Sequence, residues 1–140
     1  MSGEVRKKND LEKLLQSGEE LLEILKKARD RMEDARVTGA LFRLGGLLSA
    51  SEKQKNIEKA KGYLKEAAPK LEQFRREVEE FCTLEEIDLE LGDFYYFADF
   101  LLTGFLVSQM VLEKIEESIA KLDEAIGKVQ DVLEKLQKLK

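Results

Sequence analysis

From Leu84 to Leu136 apolar or small residues recur at alternating intervals of three and four, through Leu84, Ile87, Leu91, Phe94, Ala98, Leu101, Phe105, Ser108, Leu112, Ile115, Ile119, Leu122, Ile126, Val129, Leu133 and Leu136. That spacing puts one face of a helix in apolar contact turn after turn, and it is the repeat by which helices wrap round one another. Its middle, FYYFADFLLTGFLVSQMVL from Phe94 to Leu112, is apolar on nearly every side, with Asp99 as its one charge. A helix of that kind has to be covered on every side, so the remainder of the chain must supply cover.

The remainder has the means. Two further seams precede the first. One runs Leu11, Leu14, Gly18, Leu21, Leu25, Ala28, Met32, Ala35, Gly39, Phe42, Gly46; the other runs Ile57, Ala60, Leu64, Ala67, Leu71, Phe74, Val78, Phe81. The first predicts a continuous helix to about Leu44, begun within the first ten residues, with Asn9 or Asp10 as a cap if the start frays. Small residues in phase, Gly18 and Gly39 among them, predict close approach of another helix, since an interior glycine costs roughly 1 kcal/mol relative to alanine. Gly45-Gly46 is a C-terminal cap signal. Ser49-Ala-Ser-Glu52 and Thr83-Leu-Glu-Glu86 both have the spacing of a capping box, which predicts helix 2 from Ser49 and helix 3 from Thr83, with tight antiparallel hairpins on either side. Pro69 does not reset the second seam, so it predicts a kinked helix, not two. Glycine at Thr103-Gly104, with Ser108 as a new cap, favours a turn and a fourth helix. The expected fold is all-α, one domain over residues 1–140, a bundle of long antiparallel helices, four in number, or three if helix 3 is unbroken through Gly104.

Composition narrows function. The chain has 140 residues, 38% of them charged, with no histidine and one cysteine. Without histidine there is no Ser-His or Cys-His nucleophile and no imidazole for acid, base or metal work, and the Glu-x-x-His motif of ferritin-like di-iron bundles is missing. Cys82 alone makes no disulfide framework and no zinc cluster; it fits a small core position near a helix end. A net charge of −5, with lysine and glutamate interspersed, does not favour a nucleic-acid partner. The polar start MSGEVRKKNDLEK is no signal peptide, and a cytoplasmic location is expected. No membrane span is expected from the aromatic run, because Asp99 sits inside it and the seam continues through it. Core or subunit-interface packing accounts for Phe94, Tyr95, Tyr96, Phe97, Phe100 and Phe105, an apolar ligand pocket being the other reading. Asp99 in such surroundings requires a partner, and a tyrosine or arginine on a neighbouring helix would serve.

Carboxylates are the remaining chemical resource. Glu77-Val-Glu-Glu80 and Glu90-Leu-Gly-Asp93 each place two on one helical face, and a hairpin at Cys82-Thr83 would bring residue 77 level with residue 90. Four carboxylates converging there would suit a hard cation such as Mg²⁺. The stretch Glu90-Leu-Gly-Asp93 followed by FYYFADFLL resembles the corresponding helix of the MazG-type, all-α nucleoside triphosphate pyrophosphatases. That resemblance implies Mg²⁺ held by Glu77, Glu80, Glu90 and Asp93, and nucleotide hydrolysis. The leading expectation is different: a non-enzymatic structural or protein-interaction module without a cofactor. Its partner would be itself, as a homo-oligomer and most simply a dimer, or another helical protein, through the apolar surface of Phe94–Leu112.

Overall fold

A computed structural model describes residues 2–43, 47–105 and 114–140, with the side chains of Ser2, 39–50 and 104–105 outside the description. Among these residues the chain is helical throughout its length apart from short junctions. Helix α1 spans Ser2–Arg43 and α2 spans Leu47–Leu84; α3 spans Gly92–Phe100 and passes into a π-helical turn over Leu101–Phe105; α4 spans Ile115–Gln137.

Side-chain pairs give the directions. Arg6 meets Glu85 and Lys70 meets Glu20, so α2 runs back along α1. Cys82 at the end of α2 lies beside Leu91 and Tyr95, while Arg75 and Glu72, earlier in α2, lie beside Asp99 and Leu102, so α3 reverses α2. Arg29 meets Asp123, while Lys121 lies over the Phe100 ring, so α4 reverses both α1 and α3. The result is an up-down-up-down four-helix arrangement, the topology that short connections favour. A single third helix running on to the end of the chain is overturned, because α4 packs back along α1 with direction reversed. The expected turn at Thr103-Gly104 is corrected as well, since the helical backbone runs through Gly104 to Phe105.

The seams of α1 and α2 form the core as their spacing requires. From Leu11 to Ala35 each apolar seam residue of α1 is buried, and all eight seam residues of α2 are buried from Ile57 to Phe81. Pro69 lies inside an unbroken α2 on its exposed side, between Ala67 and Leu71, which both stay in the core. Gly18 is the point of closest approach. A Cβ there would fall within van der Waals contact of Leu133 on α4 and 2.9 Å from two ring carbons of Phe74 on α2. The expected close approach of another helix is therefore realised at Gly18; Gly39, Gly46, Phe42, Leu47 and Leu48 lie outside the described side chains.

The third seam is realised in two pieces. Leu91, Phe94, Ala98 and Leu101 face inward from α3, and Ile119, Leu122, Val129, Leu133 and Leu136 from α4. The buried face of α4 also takes in Ser118, Ala125 and Val132, because a helix wedged between α1 and α3 must bury a wider stripe than a two-helix seam. Leu84 and Ile87 leave the seam: the first is 58% exposed and the second half-buried.

Both expected capping boxes are corrected. Helix α2 is already formed at Leu47, so Ser49 lies within it, and it continues to Leu84, so Thr83 belongs to its last turn. Residues 44–46, with the Gly45-Gly46 cap, and residues 106–113, with Ser108, lie outside the described residues.

Candidate functional site

The end of α2 is closed by backbone bonds. The Ile87 amide donates to the Cys82 carbonyl at 2.9 Å and the Glu86 amide to the Thr83 carbonyl at 3.3 Å, with Glu86 at φ 55°. This is a Schellman closure, in which one residue turns left-handed so that two amides reach back to the orphaned last-turn carbonyls. Glutamate occupies the position where glycine is usual. Two residues on, the Glu90 amide donates to the Asp88 side chain at 2.8 Å, an Asx turn, and Glu90 is again left-handed at φ 55°. Residues 85–91 are therefore a structured junction, and α3 starts at Gly92 with no side-chain cap.

That junction decides the fate of the four carboxylates. Since Arg75 lies opposite Asp99, Glu77 is level with about Phe97, roughly one helical turn from Asp93 and two from Glu90. Glu77 is half-buried and accepts from Gln73 Nε2 at 2.6 Å. With Glu80 it lines a shallow groove between α1 and α2, alongside Asp10, Lys13 and Phe81. Glu90 sits in the junction, where its carbonyl lies 3.5 Å from Lys135 Nζ of α4, and Asp93 is exposed in the first turn of α3. Glu77 and Glu80 share the side of α2 that faces the groove with α1, whereas Asp93 is exposed on α3 and Glu90 belongs to the junction. Among the described residues no three His, Cys, Asp or Glu side chains gather so as to hold a metal ion.

The inner side of the junction packs Cys82 and Tyr95 with Ile87, Leu89 and Leu91. Burial pushes the Cys82 thiol up, with help from Asp88, which holds it in the protonated form that reacts poorly. Burial likewise pushes the Tyr95 phenol up to about 12. Both groups are protonated at neutral pH and partly buried against the edge of the core, so Cys82 stands beside the core and not at the core position expected of it.

The Asp99 partner is Arg75. The guanidinium Nε lies 2.9 Å from one carboxylate oxygen, Nη2 donates to the other at 3.3 Å, and Nη1 reaches Glu79 at 3.1 Å. The same guanidinium stands 5.3 Å from the centre of the Tyr95 ring, a cation–π distance. Of the two expected partners, tyrosine or arginine, the arginine is the one found; the expected burial of Asp99 is corrected, its side chain being 58% exposed. Asp99 therefore marks the solvent side of α3.

Comparison with protein-family models, with characterised proteins and with solved structures finds no match to this chain. Function has to be read from the surface itself, and α3 supplies the distinctive part. Phe94, Phe97, Ala98 and Leu101 are buried within the chain, so these members of the Phe94–Leu112 segment are not available to a partner. Tyr96 and Phe100, four residues apart on the opposite side, are 79% and 46% exposed. Sequence periodicity counted every aromatic of the run as one class. The signal that separates them is phase: positions 96 and 100 fall between the seam positions 94, 98 and 101.

Proposed function

We propose that this protein is a non-enzymatic helical-bundle module, structural or protein-interacting, that works by associating with itself. The observation that carries this reading is the exposed aromatic pair Tyr96 and Phe100 on the outer side of α3. Aromatic rings in water are the side chains most enriched at the energetic centres of interfaces. A covered ring buries about 150–250 Å², so a partner over this pair gains several kcal/mol at about 25 cal/mol per Å². Val37, 47% exposed on α1, adds apolar surface elsewhere on the bundle. No described helix is long and apolar enough to cross a membrane.

Sedimentation equilibrium on the full chain, from low to high micromolar concentration, tests the reading. The expected species has twice the 16.1 kDa chain mass and dissociates on dilution. A single species at the chain mass across the whole range, with a cooperative melt, overturns it.

A further inference from the structure

The outer face of α3 and of the π-helical turn that follows it carries Asp93, Tyr96, Phe100 and Thr103, all exposed and spaced by three, four and three residues. That is a helix-packing stripe turned toward solvent. The Thr103 hydroxyl donates to the Asp99 carbonyl at 2.9 Å, back into its own helix, so this position contributes its methyl group and no free donor. The stripe is also symmetric about position 98: positions 96 and 100 are equidistant from it, and so are 93 and 103. Two copies of α3 packed antiparallel about that point would therefore set Tyr96 against Phe100 twice over, as an isologous contact requires.

The charges beside the stripe agree with the same arrangement. At one end stands Asp93, which forms no ion pair among the described residues; at the other end stands Lys121 of α4, its ammonium 5.2 Å from the centre of the Phe100 ring and 3.7 Å from Glu124. In a parallel pairing like charges would meet like. In the antiparallel pairing each Asp93 comes to the Lys121 end of the other copy.

From this spacing and charge order we propose that the partner of the α3 face is a second copy of the same chain, docked antiparallel about a two-fold axis near residue 98, with Tyr96 packed on Phe100 and Asp93 paired with Lys121 across the interface. This rests on the self-association reading and gives it a specific face and direction. Tyr96 and Phe100 would form the dry centre and the Asp93–Lys121 pairs the rim. Rim pairs of this kind set direction and exclude wrong registers more than they add affinity.

The experiment is a set of association constants by sedimentation on the full chain, with circular dichroism and thermal melts of each variant at a dilution where the parent is monomeric. Because Tyr96, Phe100 and Asp93 face outward and Lys121 is only half-buried at the surface of α4, the variants should keep the parent's helicity. Tyr96→Asp and Phe100→Asp should each abolish the dimer over the accessible range. Asp93→Lys and Lys121→Asp should each weaken it about fivefold or more, since the two-fold axis repeats the change. The double exchange Asp93→Lys with Lys121→Asp should return the constant to within about twofold of the parent. A chain that is monomeric at every concentration overturns this inference together with the self-association reading. A dimer indifferent to Tyr96→Asp and Phe100→Asp overturns this inference alone, because association then uses another face. A dimer that responds to those two but shows no recovery in the double exchange overturns the antiparallel docking.

Discussion

At Gly18 the lack of a side chain lets three helices meet, with Phe74 from α2 and Leu133 from α4 closing over the α1 backbone. Two effects oppose each other in Gly18→Ala. Alanine gains roughly 1 kcal/mol of helix propensity, while forcing a methyl group into a filled core costs about 1–3 kcal/mol. The added carbon would overlap a ring fixed at the centre of the bundle, not the free end of a surface chain, so packing wins. The expected outcome is a net loss of up to about 2 kcal/mol in denaturant melts; a stabilised variant would show that Phe74 and Leu133 can retreat at little cost. The polar residues follow a simpler rule. Asp99 has its partner in Arg75, and the carboxylate stays at the water side because an ion pair withdrawn from water must offset several kcal/mol of lost hydration.

At the scale of elements, the junction between α2 and α3 is set by backbone geometry and not by side-chain caps. The Thr83 box has the required residues, but a capping serine or threonine acts only where the backbone before it leaves the helix. Burial of Phe81 carries α2 past Thr83, and the Schellman bonds then close it two residues after Leu84. The left-handed backbone at Glu86 costs an L-residue roughly 1–2 kcal/mol, which glycine avoids. Glycine also enlarges the unfolded ensemble, offsetting up to about 1 kcal/mol of that gain. Glu86→Gly should therefore stabilise the protein by roughly 0.5–1 kcal/mol, seen as a higher urea midpoint with an unchanged slope. A lower midpoint would mean that the glutamate side chain contributes more than its backbone strain removes.

At the scale of the molecule, Phe74 ties the bundle together. It is fully buried on α2, reaches Gly18 of α1 and packs edge-on against Phe94 of α3 at 6.0 Å between ring centres. A residue with neighbours on three helices couples their unfolding. Phe74→Ala should cost about 3–5 kcal/mol, with helix content and tyrosine fluorescence lost in one coincident transition at a lower midpoint. Two separated transitions would show α3 detaching before the α1–α2 pair. The same architecture explains the dispersal of the four carboxylates. Seven residues of junction slide α3 along α2, so a pairing of residue 77 with residue 90 becomes one of residue 77 with about Phe97.

By itself the sequence determined the all-α class, the faces of α1 and α2 and the close approach at Gly18. These follow from local periodicity, which every residue of a helix obeys wherever its neighbours lie. Only the tertiary structure decided the third seam and everything built on it. A heptad phase survives a reversal of the chain, so residues 84 to 136 read as one unbroken pattern although α3 and α4 run in opposite directions. At the start of that pattern the α2–α3 junction turns at Glu86 and Glu90, which are in left-handed backbone and carry no glycine signal to announce it. Phase within the aromatic run likewise became meaningful only once α2 and α4 had taken one side of α3, because burial is a property of the space between helices. That is what turned Phe94 and Phe97 inward and left Tyr96 and Phe100 facing water.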